Sequence, residues 1–233
     1  MDLSLLFDTL RQHRDAEKAQ LMAQYMRNQF EFLGIQSPER QRLIKPYLVA
    51  AKIQIKQASK QVPSQTPVID WEFVELCWQA PEREFQLIAT DYLKVMQVCL
   101  KPEDLVKFEK LIVQKSWWDT VDSLVKTVGY LVQKYPHLVP KIKEWSRAEN
   151  FWLRRAAILH QLGLKEQTDT ERLQEILLNN FGETEFFINK AIGWALREYG
   201  KTNPQWVIDF VTTHRNQMSK LSWREATKHL EIQ

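Results

Sequence analysis

Residues 115–125 read KSWWDTVDSLV, with two tryptophans side by side and two aspartates close behind. Asp122 lies four residues after Trp118, so a helix through this stretch sets a carboxylate and an indole on one face. Four other stretches align with it: REFQLIATDYL (83–93), NFWLRRAAIL (150–159), EFFINKAIGW (185–194) and LSWREATKHL (221–230). The shared aromatic is Phe85, Trp118, Trp152, Phe187 and Trp223, at successive spacings of 33, 34, 35 and 36 residues. A period in the mid-thirties, with room for two helices, is the mark of an α-solenoid.

Composition agrees. The 233 residues carry six glycines and nine prolines, too few turn-formers for a many-stranded β protein, while 44% hydrophobic residues exclude a disordered chain. Proline, glycine and capping residues divide the chain into candidate helices over 2–14, 16–30, 37–60, 70–79, 82–99, 102–114, 118–134, 136–147, 150–163, 169–180, 185–199, 203–213 and 221–230. Ser37-Pro38-Glu39 and Asn203-Pro204 have the form of helix starts, and QVPSQTPVI (61–69) that of a linker. The fold class expected is all-α: a single domain, 1–233, of stacked helical repeats.

In such an array the aligned helices line one concave surface. Offsets 0, +3, +4 and +7 from the aligned aromatic fall on one stripe. It holds Trp118 and Asp122, then Trp152 and Arg155, then Lys190 and Trp194. Trp117 and Phe151 stand about 100° round from their neighbours and are expected to pack, as are Trp71, Trp78, Trp145, Trp152 and Trp206 in the joints between repeats. Asp119, off the stripe, is expected to cap or pair locally. Asp122 is harder to place as filler, because an unpartnered carboxylate among aromatics is costly. Two roles stay open for it: a structural ion pair with Arg155, or chemistry.

The net charge of +3 is too small to announce a polyanionic partner, but its distribution is uneven. Between Glu39 and Asp70 there is no acid, while Arg40, Arg42, Lys45, Lys52, Lys56 and Lys60 all fall there. That interval reads either as a solvated helix face or as a footprint for phosphates. Cys77 and Cys99 fit no zinc or redox spacing, and phosphate-loop, metalloprotease and serine-elbow motifs are missing from the sequence. No cofactor is called for. The N-terminus lacks the form of a signal peptide, no apolar run reaches membrane-spanning length, and a monomeric cytoplasmic protein is expected.

The strings SWWDTVD, NFWLRRAAIL and FFINKAIGWALREY resemble the signature stretches of AlkD-type DNA alkylation repair enzymes. LMAQYMRNQFEFLGIQSPERQ, PEREFQ and WREATKHL extend the likeness to nearly the whole chain, although residues 47–70 depart from it. The resemblance implies a DNA glycosylase of HEAT-like repeats with a basic concave cleft. Its substrate would be duplex DNA carrying N3- or N7-alkylated purines, with no membrane or obligate protein partner. It also implies residue roles: Trp118, Asp122, Arg155 and Trp194 catalytic, Tyr25 flanking the site, and Lys190 and Arg154 on DNA. Arg155 is expected at a backbone phosphate, orienting the acid. A non-catalytic helical module binding DNA or protein is the rival expectation.

Overall fold

The computed structural model describes residues 3–61 and 67–231. By packing the chain divides into two units, Met1–Lys101 and Pro102–Gln233. Among the described residues the backbone is helical apart from turns, short 3-10 segments and one isolated bridge between Glu31 and Glu82. All thirteen expected helices form, most of them shorter at one or both ends.

The N-terminal unit holds α1 (Leu3–Gln12), α2 (Ala16–Tyr25), α3 (Ser37–Gln61), α4 (Trp71–Gln79) and α5 (Arg83–Met96). Helix α5 is its centre: Phe85, Ile88, Ala89, Leu93 and Met96 are buried, and α3 and α4 pack on it. At its first turn the Glu84 carboxylate accepts backbone N–H bonds from Leu33 (2.9 Å), Gly34 (2.9 Å) and Ile35 (3.1 Å), which fixes the α2–α3 loop. Helix α2 stops at Tyr25 rather than running to 30, because Arg27 and Asn28 take left-handed φ values of 55°. Of the expected linker, residues 62–66 lie outside the described residues.

The C-terminal unit holds α6 (Leu105–Val113), α7 (Trp118–Lys134), α8 (Val139–Trp145), α9 (Phe151–Leu159), α10 (Thr170–Leu178), α11 (Phe186–Gly200), α12 (Pro204–Thr213) and α13 (Lys220–Thr227). The aligned helices follow one another in space: α7 packs on α9, α9 on α11 and α11 on α13, with α6, α8, α10 and α12 supporting them. Local chemistry sets their starts. Asn150 caps α9 through Trp152 N–H (2.9 Å), and Asn203 caps α12 through Trp206 N–H (3.1 Å) with Pro204 first in the helix. Buried polar ties recur one repeat apart: Asn180 Nδ2 donates to the Ser146 carbonyl at 3.0 Å, and Ser222 Oγ to the Asn189 carbonyl at 3.0 Å.

Two glycines set how closely the aligned helices approach. A Cβ on Gly129 of α7 would stand 2.2 Å from the His160 carbonyl oxygen, just past the end of α9. One on Gly193 of α11 would stand 2.9 Å from the Ser222 carbonyl oxygen of α13. Neither obstacle is a flexible side-chain end, so the helices themselves would have to separate. Gly129→Ala is therefore expected to cost roughly 1–3 kcal/mol of unfolding free energy by chemical denaturation. An unchanged midpoint would show that α7 and α9 are not tightly packed there.

Candidate active site

Asp122 stands in the second turn of α7 and Arg155 in the second turn of α9, and the packing of these helices brings them together. The contact is a two-pronged fork. Arg155 Nε donates to Asp122 Oδ1 and Nη2 to Oδ2, each at 2.8 Å. Its remaining terminal nitrogen, Nη1, donates to the Phe187 carbonyl oxygen in α11 at 2.6 Å. One guanidinium thus ties three successive repeats. Planarity makes this an arginine's task, because lysine cannot offer three donors in one fixed plane.

The two partners are unequally buried. The Arg155 side chain is 6% exposed and that of Asp122 is 16% exposed, so the acid is the member that reaches solvent. Burial pushes the Asp122 carboxyl above its ordinary 3.8; Arg155 opposes that shift, and nearby Asp119 adds to it. A carboxylate has about four acceptor positions, and the fork occupies one on each oxygen. The others are left for a substrate or a water.

Aromatic rings floor this region. Trp117 lies 5.9 Å from Trp152 and 5.1 Å from Phe187, Phe151 packs 4.7 Å from Trp152, and the Arg155 guanidinium lies 5.9 Å from the Phe187 ring centre. Trp117 packs as its off-stripe position predicts. In the second pair Trp152 is buried, as expected of a residue in a joint between repeats, and Phe151 packs on it while staying half-buried. Asp119 acts locally, accepting the Thr120 N–H at 2.8 Å.

The other sequence-derived candidates are placed as follows. Trp118 is the first residue of α7 and Trp194 sits in the third turn of α11; both are half-buried, and α9 packs on both helices. Lys190, one turn before Trp194, pairs with Glu225 of α13 at 2.9 Å and stays 40% exposed; Arg197 holds the same carboxylate. Arg154 is turned the other way, donating to the Ala148 carbonyl (2.9 Å) and to Glu183 (2.5 Å). Tyr25 ends α2 in the N-terminal unit, 73% exposed.

Sequence reasoning set Arg155 at a backbone phosphate, orienting the acid; the structure has its buried head on Asp122 and the Phe187 carbonyl, which is the orienting part of that expectation. The Phe187 carbonyl was missed because a backbone acceptor has no residue signature. Glu225 was missed although it sits inside the aligned stretch LSWREATKHL, and Glu183 although it stands two residues before EFFINKAIGW. Among the described residues no cluster of histidine, cysteine and acid has the make-up of a metal site, and no helix is long and apolar enough to cross a membrane.

A helical repeat tied across its inner helices by an acid–arginine fork defines the class, and comparison with known proteins defines the family. The DNA alkylation repair enzyme family model matches residues 6–230, and the chain belongs to that family. A structure described as "Predicted DNA alkylation repair enzyme from Enterococcus faecalis" is 37% identical, with a TM-score of 0.81 over 94% of this chain and 97% of that one. Two Streptococcus mutans proteins share the fold at a TM-score of 0.56. One is smu.31 of strain UA159, at 17% identity over 82% of this chain and 98% of its own. The other is AlkD2, at 16% identity over 81% and 100%. No curated protein is significantly similar in sequence.

The fork has a stability consequence with a definite sign. Replacing Arg155 by Gln leaves a buried carboxylate without its cation, which costs roughly 3–5 kcal/mol at neutral pH. Losing Arg155 also removes what opposes the burial shift, so the folded pKa of Asp122 rises further. A raised carboxyl pKa favours the protonated fold: its benefit is present below the unfolded value and lost as pH rises through the folded one. The deficit of Arg155→Gln relative to wild type should therefore shrink on acidification from pH 7 towards pH 4.5 in urea unfolding. A deficit that is constant or grows would contradict a charged, buried Asp122.

Proposed function

We propose that this protein is a monofunctional DNA glycosylase that hydrolyses the N-glycosidic bond of cationic N3- and N7-alkylated purines in duplex DNA, leaving an abasic site. The observation that carries the reading is the unequal fork: a buried arginine holding a carboxylate that keeps free acceptor positions at the solvent side. Family membership supports DNA repair as the setting.

Alkylation makes the base a good leaving group. When the bond from C1′ breaks, its electron pair neutralises the purine, and positive charge develops on the deoxyribose. Asp122 faces that charge as a pre-set anion, then accepts a proton from the water that attacks C1′. Arg155 is a positioning residue for Asp122. Trp118 and Trp194 offer indole faces to the cationic sugar and base, at roughly 0.5–2 kcal/mol each. Lys190 and Arg154 are proposed as phosphate contacts in a basic concave cleft, each first leaving its present carboxylate partner, and exposed Tyr25 as a DNA-binding aromatic. No cofactor, membrane or obligate protein partner enters this scheme. A monomer acting in the cytoplasm or at the nucleoid, as one domain, completes the proposal.

Incubation with methylated duplex DNA tests it. Wild type should release 3-methyladenine or 7-methylguanine without cutting the strand. Asp122→Asn should lose at least about 10²-fold in rate while still binding DNA. A neutral lesion such as hypoxanthine should stay in place. DNA binding without release by wild type would instead indicate a non-catalytic helical module.

A further inference from the structure

The acid-free interval falls on α3, whose two sides differ sharply. Ile44 and Ala51 are buried, and Leu43, Tyr47, Leu48, Ile55 and Ala58 are half-buried, on the side that packs against α5. Lys45, Lys52 and Lys56 are exposed on the opposite side and, at 100° per residue, fall within one stripe with Val49 and Ile53. Val49 and Ile53 are 43% and 47% exposed. None of the three lysines forms an ion pair among the described residues.

A merely solvated helix face normally interleaves opposite charges one turn apart. This one does the reverse: Lys52 and Lys56 are like charges at i, i+4, and the sequence has no acid from residue 40 to 69 to offset them. A helix lying in a membrane surface would need a broad apolar face beside its lysines. Here that face is turned into the unit's own core. What remains is a row of cations over roughly 16 Å, the length over which one DNA strand passes about five phosphates.

We infer that the 45–56 segment of α3 is a second DNA-contacting element, in which Lys45, Lys52 and Lys56 track a phosphate backbone irrespective of sequence or lesion. The inference rests on the DNA-repair reading, and extends it to a segment where the chain departs from the family's recognisable strings. The element contributes grip common to damaged and undamaged duplex.

The test is affinity for an undamaged, fluorescently labelled duplex as a function of salt, for wild type and Lys45→Gln/Lys52→Gln/Lys56→Gln. The exposed positions should leave the thermal melt unchanged; Lys56→Gln alone serves if the triple variant does not fold. Every phosphate that a lysine neutralises adds about 0.9 to the steepness of log affinity against log salt. The slope should therefore fall by roughly 2–3 in the triple variant and by about 1 in the single variant. An unchanged slope with tight wild-type binding overturns the inference and leaves the repair reading standing. A wild type that binds no duplex, or binds only anionic lipid vesicles, overturns both.

Discussion

Arg155 links three successive aligned helices, and the chemistry proposed for Asp122 rests on the same contact. From α9 it reaches back to the carboxylate of Asp122 on α7 and forward to the Phe187 carbonyl on α11. Such a buried pair contributes little net stability, since desolvating two charges offsets much of their attraction. Its value lies in geometry. The acid is held by two bonds, in one orientation.

The same position serves differently one repeat later. Arg155 and Lys190 both stand three residues after the aligned aromatic, yet Arg155 pairs with the preceding inner helix and Lys190 with the following one. Arg155 is buried, whereas Lys190 is 40% exposed and shares Glu225 with Arg197. Under the proposed function Glu225 would release Lys190 to a phosphate and keep Arg197 as its other cation. Close approach at Gly129 and Gly193 makes both cross-helix reaches short.

Much of this was legible in the sequence. Helix positions followed from cap residues, prolines and apolar periodicity, all of which act within a turn or two of chain. The Asp122–Arg155 pair was legible because offsets of +4 and +3 in adjacent repeats face each other when the repeats stack. Three things were not. The Phe187 carbonyl belongs to the backbone, so no residue type signals it. The direction in which Lys190 pairs depends on how far α11 and α13 are rotated about their axes, which a degenerate period of 33–36 residues leaves open. The different exposure of the aligned tryptophans depends on where each helix begins: Trp118 is first in α7, Trp152 second in α9 and Trp223 fourth in α13.

In the proposed mechanism Arg155 acts on the chemistry only through Asp122, and a double-mutant cycle tests this directly. Its readout is single-turnover release of alkylated base under saturating protein, for wild type, Asp122→Asn, Arg155→Gln and the double variant. The double variant should be about as slow as Asp122→Asn alone, because an arginine with no acid to hold has no further effect. Full additivity of the two losses would mean that Arg155 touches substrate independently, and would contradict its role as a positioning residue.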